Sequence, residues 1–583
     1  MKTKQRSGFK VRGEVEKNGR RKPQAESPAD PSRRSFLGRV GSVATVAMAA
    51  GAAGLGPLVG PAAADDRHHH PDNEDREGSP RARHSFEIRR EAAEEELDLG
   101  TPAHPNNGDE ARYPDKCATF TKTLPHDTFG RVDLNAYRSL IHALTSGNPA
   151  DFEDIILGAG RPLTNPQSGL CFDLEGTDSH SLSVPAAPTM AGAQTAAEMV
   201  EMYWAALLRD VPFSQYATNS TANAAAAELN GLSGYVGPRN ASNRVTTNEL
   251  LRGGFPGETL GPYVSQFMVL PTSFGQQPIS QEFVTYAPNI DYMTDLASYL
   301  TVQNGGSTGQ VNQVDSQLRF LRDGRDLAAW THVDVLYQGY FIAALVLGSI
   351  GAPVNPGIPY ANSRTQAGFG TFGGPHFAAM VGEVAARALE RSWFQKWFVH
   401  RRARPEVAGT IAHLTKTGQG SNVSCTLHSD LLNSQALANS FQKYGSYLLA
   451  QAFPEGAPTH PSYPTGHGVV AGACITILKF FFDGTFVIPN PVVPSPDGQR
   501  LVPFSGPALT VNGELNKLGH NISFGHGIHA GIHYRSDTDS SLILGEATAL
   551  SILRDQAQTF NERFSVSLTK FDGTTATISN SDE

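Results

Sequence analysis

The chain has 583 residues, with 47 Lys and Arg against 56 Asp and Glu for a formal net charge of −9 at pH 7, and a hydrophobic content of 39%. That length and apolar fraction suffice for a large core and leave room for more than one domain. The acidic balance excludes the basic footprint of a nucleic-acid binder, and the wide separation of Cys117, Cys171, Cys425 and Cys474 excludes CxxC zinc and redox motifs.

The N-terminus reads as an export address. Ser32-Arg33-Arg34-Ser35-Phe36-Leu37 leads into a mildly apolar Ala/Gly/Val run to about Val59, and Ala62-Ala63-Ala64 precedes Asp65. This is the pattern of a twin-arginine signal over residues 1–64, cleaved after Ala64. The expectation is a protein that folds before export, works in the periplasm or outside the cell, and has no membrane attachment after cleavage. Residues 65–112, rich in His, Asp, Glu, Arg and Pro, carry few large apolar groups. They bury too little surface to offset their ordering entropy, so a flexible charged leader is expected. An oxidising compartment permits one or two disulfides, although Cys474, within an apolar helix, reads as a buried thiol.

From residue 113 to 583 helical periodicity dominates, and one α-helical domain is expected. In 194–209, Ala197, Val200, Met202, Tyr203, Leu207 and Leu208 recur near helical spacing until Pro212 stops the run. Residues 326–349, 377–399, 430–452, 466–482, 515–534 and 542–559 read as further long helices between Gly/Pro-rich loops. The apolar run 341–350 is too short to span a bilayer. Strand signals are sparse, the clearest being Phe564-Ser-Val-Ser-Leu568 and Ala576-Thr-Ile578 around Asp572-Gly573, which predict a small hairpin. The expected class is all-α with a minor C-terminal β-hairpin.

Three segments of this helical region carry complementary chemistry. The first holds Lys396 and Arg404-Pro405, the second is His460-Pro-Ser-Tyr-Pro-Thr465-Gly466-His467, and the third is His533-Tyr-Arg-Ser-Asp537. Fixed cations, a hydroxyl, backbone donors after a glycine and histidines are what a tetrahedral trianion such as phosphate or vanadate needs to shed its water. On one helix Lys396 and Arg404 would lie about two turns apart and within roughly 80° of each other, with Pro405 ending that helix. His400, Arg401 and Arg402 extend the same basic run and are expected on a solvated face. Gly466 and His467 open a helix, whose free amides point at an anion.

In this order and spacing the segments resemble the acid phosphatase and vanadium-dependent haloperoxidase superfamily. Ala206-Leu-Leu-Arg-Asp-Val-Pro-Phe213, Gly261-Pro-Tyr-Val-Ser-Gln-Phe267, Arg325-Asp-Leu-Ala-Ala-Trp-Thr-His-Val-Asp334, Phe372-Gly-Gly-Pro-His376 and Gly513-Glu-Leu-Asn-Lys-Leu518 extend the resemblance to its algal bromoperoxidase branch, over about residues 115 to 560. The resemblance implies two four-helix bundles with the pocket near the end of one. It implies vanadate ligated by His533 and held by Lys396, Arg404, Thr465, Gly466, His467 and His526, with Asp537 fixing the proton on the opposite nitrogen of His533. His467 would manage protons as acid and base, and Lys396 would polarise bound peroxide. His460 stands where bromoperoxidases carry histidine, which makes bromide or iodide the expected halide and leaves chloride open. The implied substrates are hydrogen peroxide, halide and an organic acceptor, and the implied assembly is a homo-oligomer.

Two departures stand out. Thr465 replaces the usual serine, which keeps the hydroxyl and adds a methyl. The family's second arginine belongs six residues before His533, where this chain has Gly527; aligning Asn521-Ile-Ser-Phe-Gly525 instead puts His526 there with one residue inserted. Histidine is largely neutral above pH of about 6.5, so weaker vanadate binding or a lower working pH is expected. His526, His529 and His533 also form a stripe with metal-ligand spacing, a lesser zinc reading. An acid phosphatase using the same pocket and a catalytically silent homologue are the rival readings.

Overall fold

The structure is a computed structural model that describes residues 79–581. The twin-arginine signal and the leader as far as residue 78 lie outside the described residues. The longer helices are α1 (Pro80–Leu99), α2 (Leu134–Ser146), α3 (Ala193–Leu208), α4 (Ser220–Gly231), α5 (Leu296–Gln303), α6 (Gly324–His332), α7 (Gln338–Ser349), α8 (Gly374–Phe394), α9 (Pro405–Lys416), α10 (Gln435–Tyr444), α11 (Gly466–Phe481), α12 (Val511–Phe524) and α13 (Arg535–Thr559). Among the described residues the strands form only two-stranded antiparallel sheets, so the class is all-α with minor hairpins. No described helix is long and apolar enough to cross a membrane.

The centre of the molecule is α11. Its sequence is apolar all round, and every residue in it except His467 is buried. A helix of this kind needs neighbours on all sides, and α8, α12 and α13 supply them in a four-helix bundle. The crossing of α11 and α13 depends on absent side chains. A Cβ on Gly472 would sit 2.1 Å from the Leu542 carbonyl oxygen, and one on Gly545 would sit 2.0 Å from that of Val469. A second group of four helices gathers on α3, with α4, α9 and α10 packed against it.

Helices 193–208 and 466–481 fall within a residue or so of expectation, as does the hairpin of Ser565–Thr569 with Thr575–Ser579. Elsewhere the structure corrects the boundaries. The expected helix 326–349 is two, α6 and α7, separated by an extended turn that carries Asp334. The stretch 430–452 contains a helix only to Tyr444, because Ser434 caps its start and Gly445 takes the left-handed conformation (φ 72°) at its end. The helix expected over 515–534 stops at Phe524, and α13 begins at Arg535 rather than 542. His533 therefore lies in the connection between them.

The leader reading also changes. Residues 80–99 form α1, capped by the Ser79 hydroxyl, started by Pro80 and supported by an Arg90–Glu94 pair at 2.8 Å, with none of its residues buried. Buried Asp109 then accepts from the Met190 amide at 2.6 Å and Glu110 accepts from the Tyr137 hydroxyl at 2.7 Å. A composition argument counts apolar burial and misses such local propensity and specific polar docking. Of the cysteines, Cys117 and Cys425 form a disulfide across 308 residues of chain, Cys474 is a buried thiol and Cys171 an exposed one.

Candidate functional site

The site lies where the start of α11 meets two widened helical turns. α8 passes into a π-helical turn, Gln395–His400, that carries Lys396, and α12 passes into another, Gly525–His529, that carries His526. A π turn accommodates one more residue than an α turn and concentrates at functional sites. The residue inserted near His526 is absorbed in this way, so His526 faces the site while the following chain stays in register.

Lys396 and Arg404 do not share a continuous helix, contrary to expectation. Arg401 adopts a left-handed conformation (φ 40°) that ends the π turn, and Arg404 is the N-cap of the next helix, with Pro405 in its first position. Proline starts α9 here instead of ending α8. The turn between them brings both cations into the interior, with Lys396 0% and Arg404 1% exposed.

The Lys396 ammonium donates to the carbonyls of Pro461 (2.8 Å) and Ser462 (3.0 Å). The Arg404 guanidinium donates to the carbonyls of His460 and Ile532, both at 2.9 Å, to Nε2 of His533 at 2.7 Å and to Nδ1 of His460 at 3.0 Å. No carboxylate is among these partners. Burial, reinforced by the Arg404 charge, pushes Lys396 well below the ordinary lysine range, and burial lowers Arg404 to about 10. Two basic groups buried with no carboxylate in hydrogen-bond contact, and with Asp537 as the nearby charge that favours both, fit an anion site.

The remaining groups come from the start of α11, the π turn after α12 and the connection before α13. Thr465 caps α11, and its hydroxyl is buried with no hydrogen-bond partner in the protein. The first amides of α11, at Gly466 and His467, have no partner within the helix by construction. His533 donates from Nδ1 to Asp537 at 3.1 Å, since its Nε2 already accepts from Arg404. The His460 ring lies 6.5 Å from that of His533, and the His526 ring 6.2 Å from it. His467 stacks on His526 and bonds Asp334 through Nε2 at 3.1 Å. Burial first, then the neighbouring charges of Lys396, Arg404 and the other histidines, hold His460 and His533 well below the usual histidine range. His526 is lowered by burial and then by His467, His533 and Arg404. Lowered basicity in these rings, an orphaned hydroxyl, free amides and two basic side chains bonded to no carboxylate fit a tetrahedral oxyanion that ligates an imidazole nitrogen.

Similarity to characterised proteins agrees with this geometry. No family model matches the chain. The vanadium-dependent bromoperoxidase of Ascophyllum nodosum is 37% identical over 511 residues, covering 84% of this chain and 91% of that protein. The enzyme of the same description from Corallina pilulifera is 35% identical over 590 residues, covering 85% and 98%. The solved homohexameric structure of the second vanadate-dependent bromoperoxidase of Ascophyllum nodosum superimposes with a TM-score of 0.81 at 30% identity, covering 90% of this chain and 94% of that one. The chain belongs to the vanadium-dependent bromoperoxidases.

As a member of that family it is a haloperoxidase, a peroxidase within the oxidoreductases. Arg404, His460 and His533 are in direct contact, Lys396 bonds the backbone just after His460, His526 lies beside His533 with His467 stacked on it, and Thr465 and Gly466 open the adjoining α11. His529 is not part of this group: its Nε2 bonds the Tyr263 hydroxyl at 2.9 Å and its ring meets Phe213 edge-on, so the zinc stripe is broken by the π turn. Asp537 is not one helical turn beyond His533 on a shared helix. It occupies the first turn of α13 and reaches back to the loop, accepting from the Tyr534 amide at 3.0 Å.

Sequence reasoning missed three neighbours of the cage. Arg402, assigned to a solvated face, is 5% exposed and bonded to Asp537 at 2.8 Å. Ser462 donates to Asp537 at 2.6 Å. Asp334 lies in a segment that carried the resemblance, yet nothing local marks it as the partner of His467.

Proposed function

We propose that the cage holds vanadate on Nε2 of His533 and uses hydrogen peroxide to oxidise bromide or iodide, with chloride open, to a hypohalous-acid equivalent that halogenates organic acceptors. The observation that carries this reading is the pairing of buried, carboxylate-free Lys396 and Arg404 with the unpartnered Thr465 hydroxyl. When bound, vanadate supplies a Lewis-acidic centre that activates peroxide.

The chain's own residues do the rest. Asp537 keeps the His533 proton on Nδ1, so the Nε2 lone pair, which accepts from Arg404, is the one that would meet vanadate. Lys396 and Arg404 stabilise negative charge in a water-poor interior, where it counts most. Asp334 holds the His467 proton on Nε2, so Nδ1 would be the atom that takes up and releases a proton beside bound vanadate. Nδ1 of His460 is occupied by Arg404, which leaves the ring proton on Nε2, and the histidine at this position supports the bromide or iodide reading.

Export by the twin-arginine route to the periplasm or the outside of the cell belongs to the same proposal. The signal motif supports it, and so does the Cys117–Cys425 disulfide, a bond that persists in oxidising compartments. A homo-oligomer is proposed from the hexameric relative. The test is to incubate purified protein with orthovanadate and assay peroxide-dependent bromination and phosphomonoester hydrolysis. Bromination abolished by Lys396→Ala and by His533→Ala supports the proposal. Hydrolysis alone would make the protein a phosphatase, and neither activity would make it a silent homologue.

A further inference from the structure

We infer that Arg402 is a positioning residue for the reaction, acting through Asp537 on His533. The inference rests on the vanadate reading only for its consequence, since the geometry stands by itself. The Asp537 carboxylate has two differently occupied oxygens. Oδ2 accepts from the Ser462 hydroxyl (2.6 Å), the Tyr534 amide (3.0 Å) and Nδ1 of His533 (3.1 Å). Oδ1 accepts from Nη1 of Arg402 at 2.8 Å. Arg402 thus holds the far edge of the carboxylate while the near edge faces the imidazole.

Arg402 is itself locked. Its Nη1 also meets the Ser536 hydroxyl at 2.9 Å, and Nη2 reaches Thr195 Oγ1 at 3.3 Å and Glu198 Oε2 at 3.4 Å. Its guanidinium lies 3.8 Å from the centroid of the Tyr534 ring. The Glu198 carboxylate accepts from the Ser536 amide (3.2 Å) and hydroxyl (2.9 Å), which ties the start of α13 to α3. The chain of contacts therefore runs from α3 through Arg402 to Asp537 and His533, all of it buried.

A planar, permanently charged fork is suited to this position. Arg404 on Nε2 and Asp537 on Nδ1 together place the His533 proton on Nδ1, and Arg402 fixes the carboxylate that receives it. Without it Oδ1 is a buried acceptor with no donor, and only the donors on Oδ2 hold the carboxylate against His533, so the bond that orients the imidazole is less firmly fixed.

The experiment uses the full chain with selectively ¹⁵N-labelled histidine, comparing wild type with Arg402→Met and Arg402→Lys. The readouts are the ¹⁵N signature of the His533 imidazole without vanadate, and the orthovanadate Kd by equilibrium dialysis. The expected result is a shifted ¹⁵N signature of the His533 Nδ1–H in Arg402→Met, reporting a weakened bond to Asp537, with a Kd weakened about 10- to 100-fold, the usual scale for removing a partner that orients a metal ligand. Arg402→Lys, which keeps the charge and loses the fork, should fall between. A folded Arg402→Met protein with wild-type ¹⁵N signature and Kd overturns the inference. If Arg402→Met does not fold, wild-type values of both readouts in Arg402→Lys overturn it. Should wild type itself bind no vanadate, the proposed function fails while the ¹⁵N readout still decides the role of Arg402.

Discussion

The imidazoles of His526 and His467 stack with centroids 3.9 Å apart and planes 25° from parallel. This places a histidine where relatives are expected to carry a permanent cation. His526 Nδ1 is buried without a protein partner, so it is available as an adaptable donor or acceptor.

The first prediction is that His526→Arg tightens orthovanadate binding about tenfold, because a guanidinium adds a fixed charge and a two-pronged donor. Equilibrium dialysis with vanadium quantification measures it. Weaker binding in a folded variant would show that the histidine stack, and not missing charge, sets affinity here.

Thr465 offers a separation of binding from stability. Its hydroxyl is buried and unsatisfied in the protein alone, and an unpaired buried polar group costs about 1–3 kcal/mol. Thr465→Val should therefore leave the vanadate-free protein at least as stable, while weakening vanadate by about 0.5–1.5 kcal/mol for the lost hydrogen bond. Thermal melting and Kd on the same variant check both halves. A clear drop in Tm without vanadate would count against an orphaned hydroxyl.

Stability should be greatest near neutral pH. Burial lowers His126 to about 4, and burial with nearby cations lowers His400 and His529 to about 3, whereas in the unfolded chain each titrates near 6.5. Their contribution is present above about pH 6.5 and is lost as pH falls toward those values, at about 1.4 kcal/mol per pH unit for each ring. His520 has the opposite sign. Burial would lower it, but the Glu258 and Asp539 carboxylates on its two nitrogens prevail and raise it to about 9. Its contribution is full below about pH 6.5 and disappears as pH rises through about 9. Urea midpoints measured across this range should fall on both sides. A flat acid limb would contradict neutral buried histidines.

Lys122 and Glu406 form a fully buried pair at 2.8 Å, and Glu406 also accepts from the Ala457 amide at 2.9 Å. Glu406 lies two residues after Arg404, so the pair anchors the start of α9. Lys122→Met should destabilise by about 3–5 kcal/mol through the stranded carboxylate, and adding Glu406→Gln should recover part of that loss. Denaturant titration of the single and double variants provides the comparison.

Reduction of Cys117–Cys425 should cost about 2–4 kcal/mol by releasing a long loop in the unfolded chain. The melting temperature with and without reductant measures it. An unchanged value would mean that the native contacts around residues 117 and 425 hold without the bond.

Much of the cage can be read locally. Thr465-Gly466-His467 announces a capped helix start by its residue types alone, and α11 and α3 announce themselves by apolar content and spacing. His533 with Asp537 is legible as a pair, although the two lie across a helix start. The boundaries around them are less legible, because a π turn leaves no periodic signature. The shift from α12 to the loop at His533 depends on where α13 is capped, at Tyr534 and Asp537.

By itself, then, the order of residues determined the all-α class, the central apolar helix, and the set of cations, hydroxyl and histidines that make an anion cage. Only the tertiary structure decided that Arg402 belongs with Asp537, that Asp334 belongs with His467 and that His529 turns away to Tyr263. The physical reason is range. Periodicity and capping report interactions a few residues long, whereas Arg402 and Asp537 are 135 residues apart and Asp334 and His467 are 133 apart. Whether a charge in a basic run meets water or a buried carboxylate is settled only when those distant segments pack.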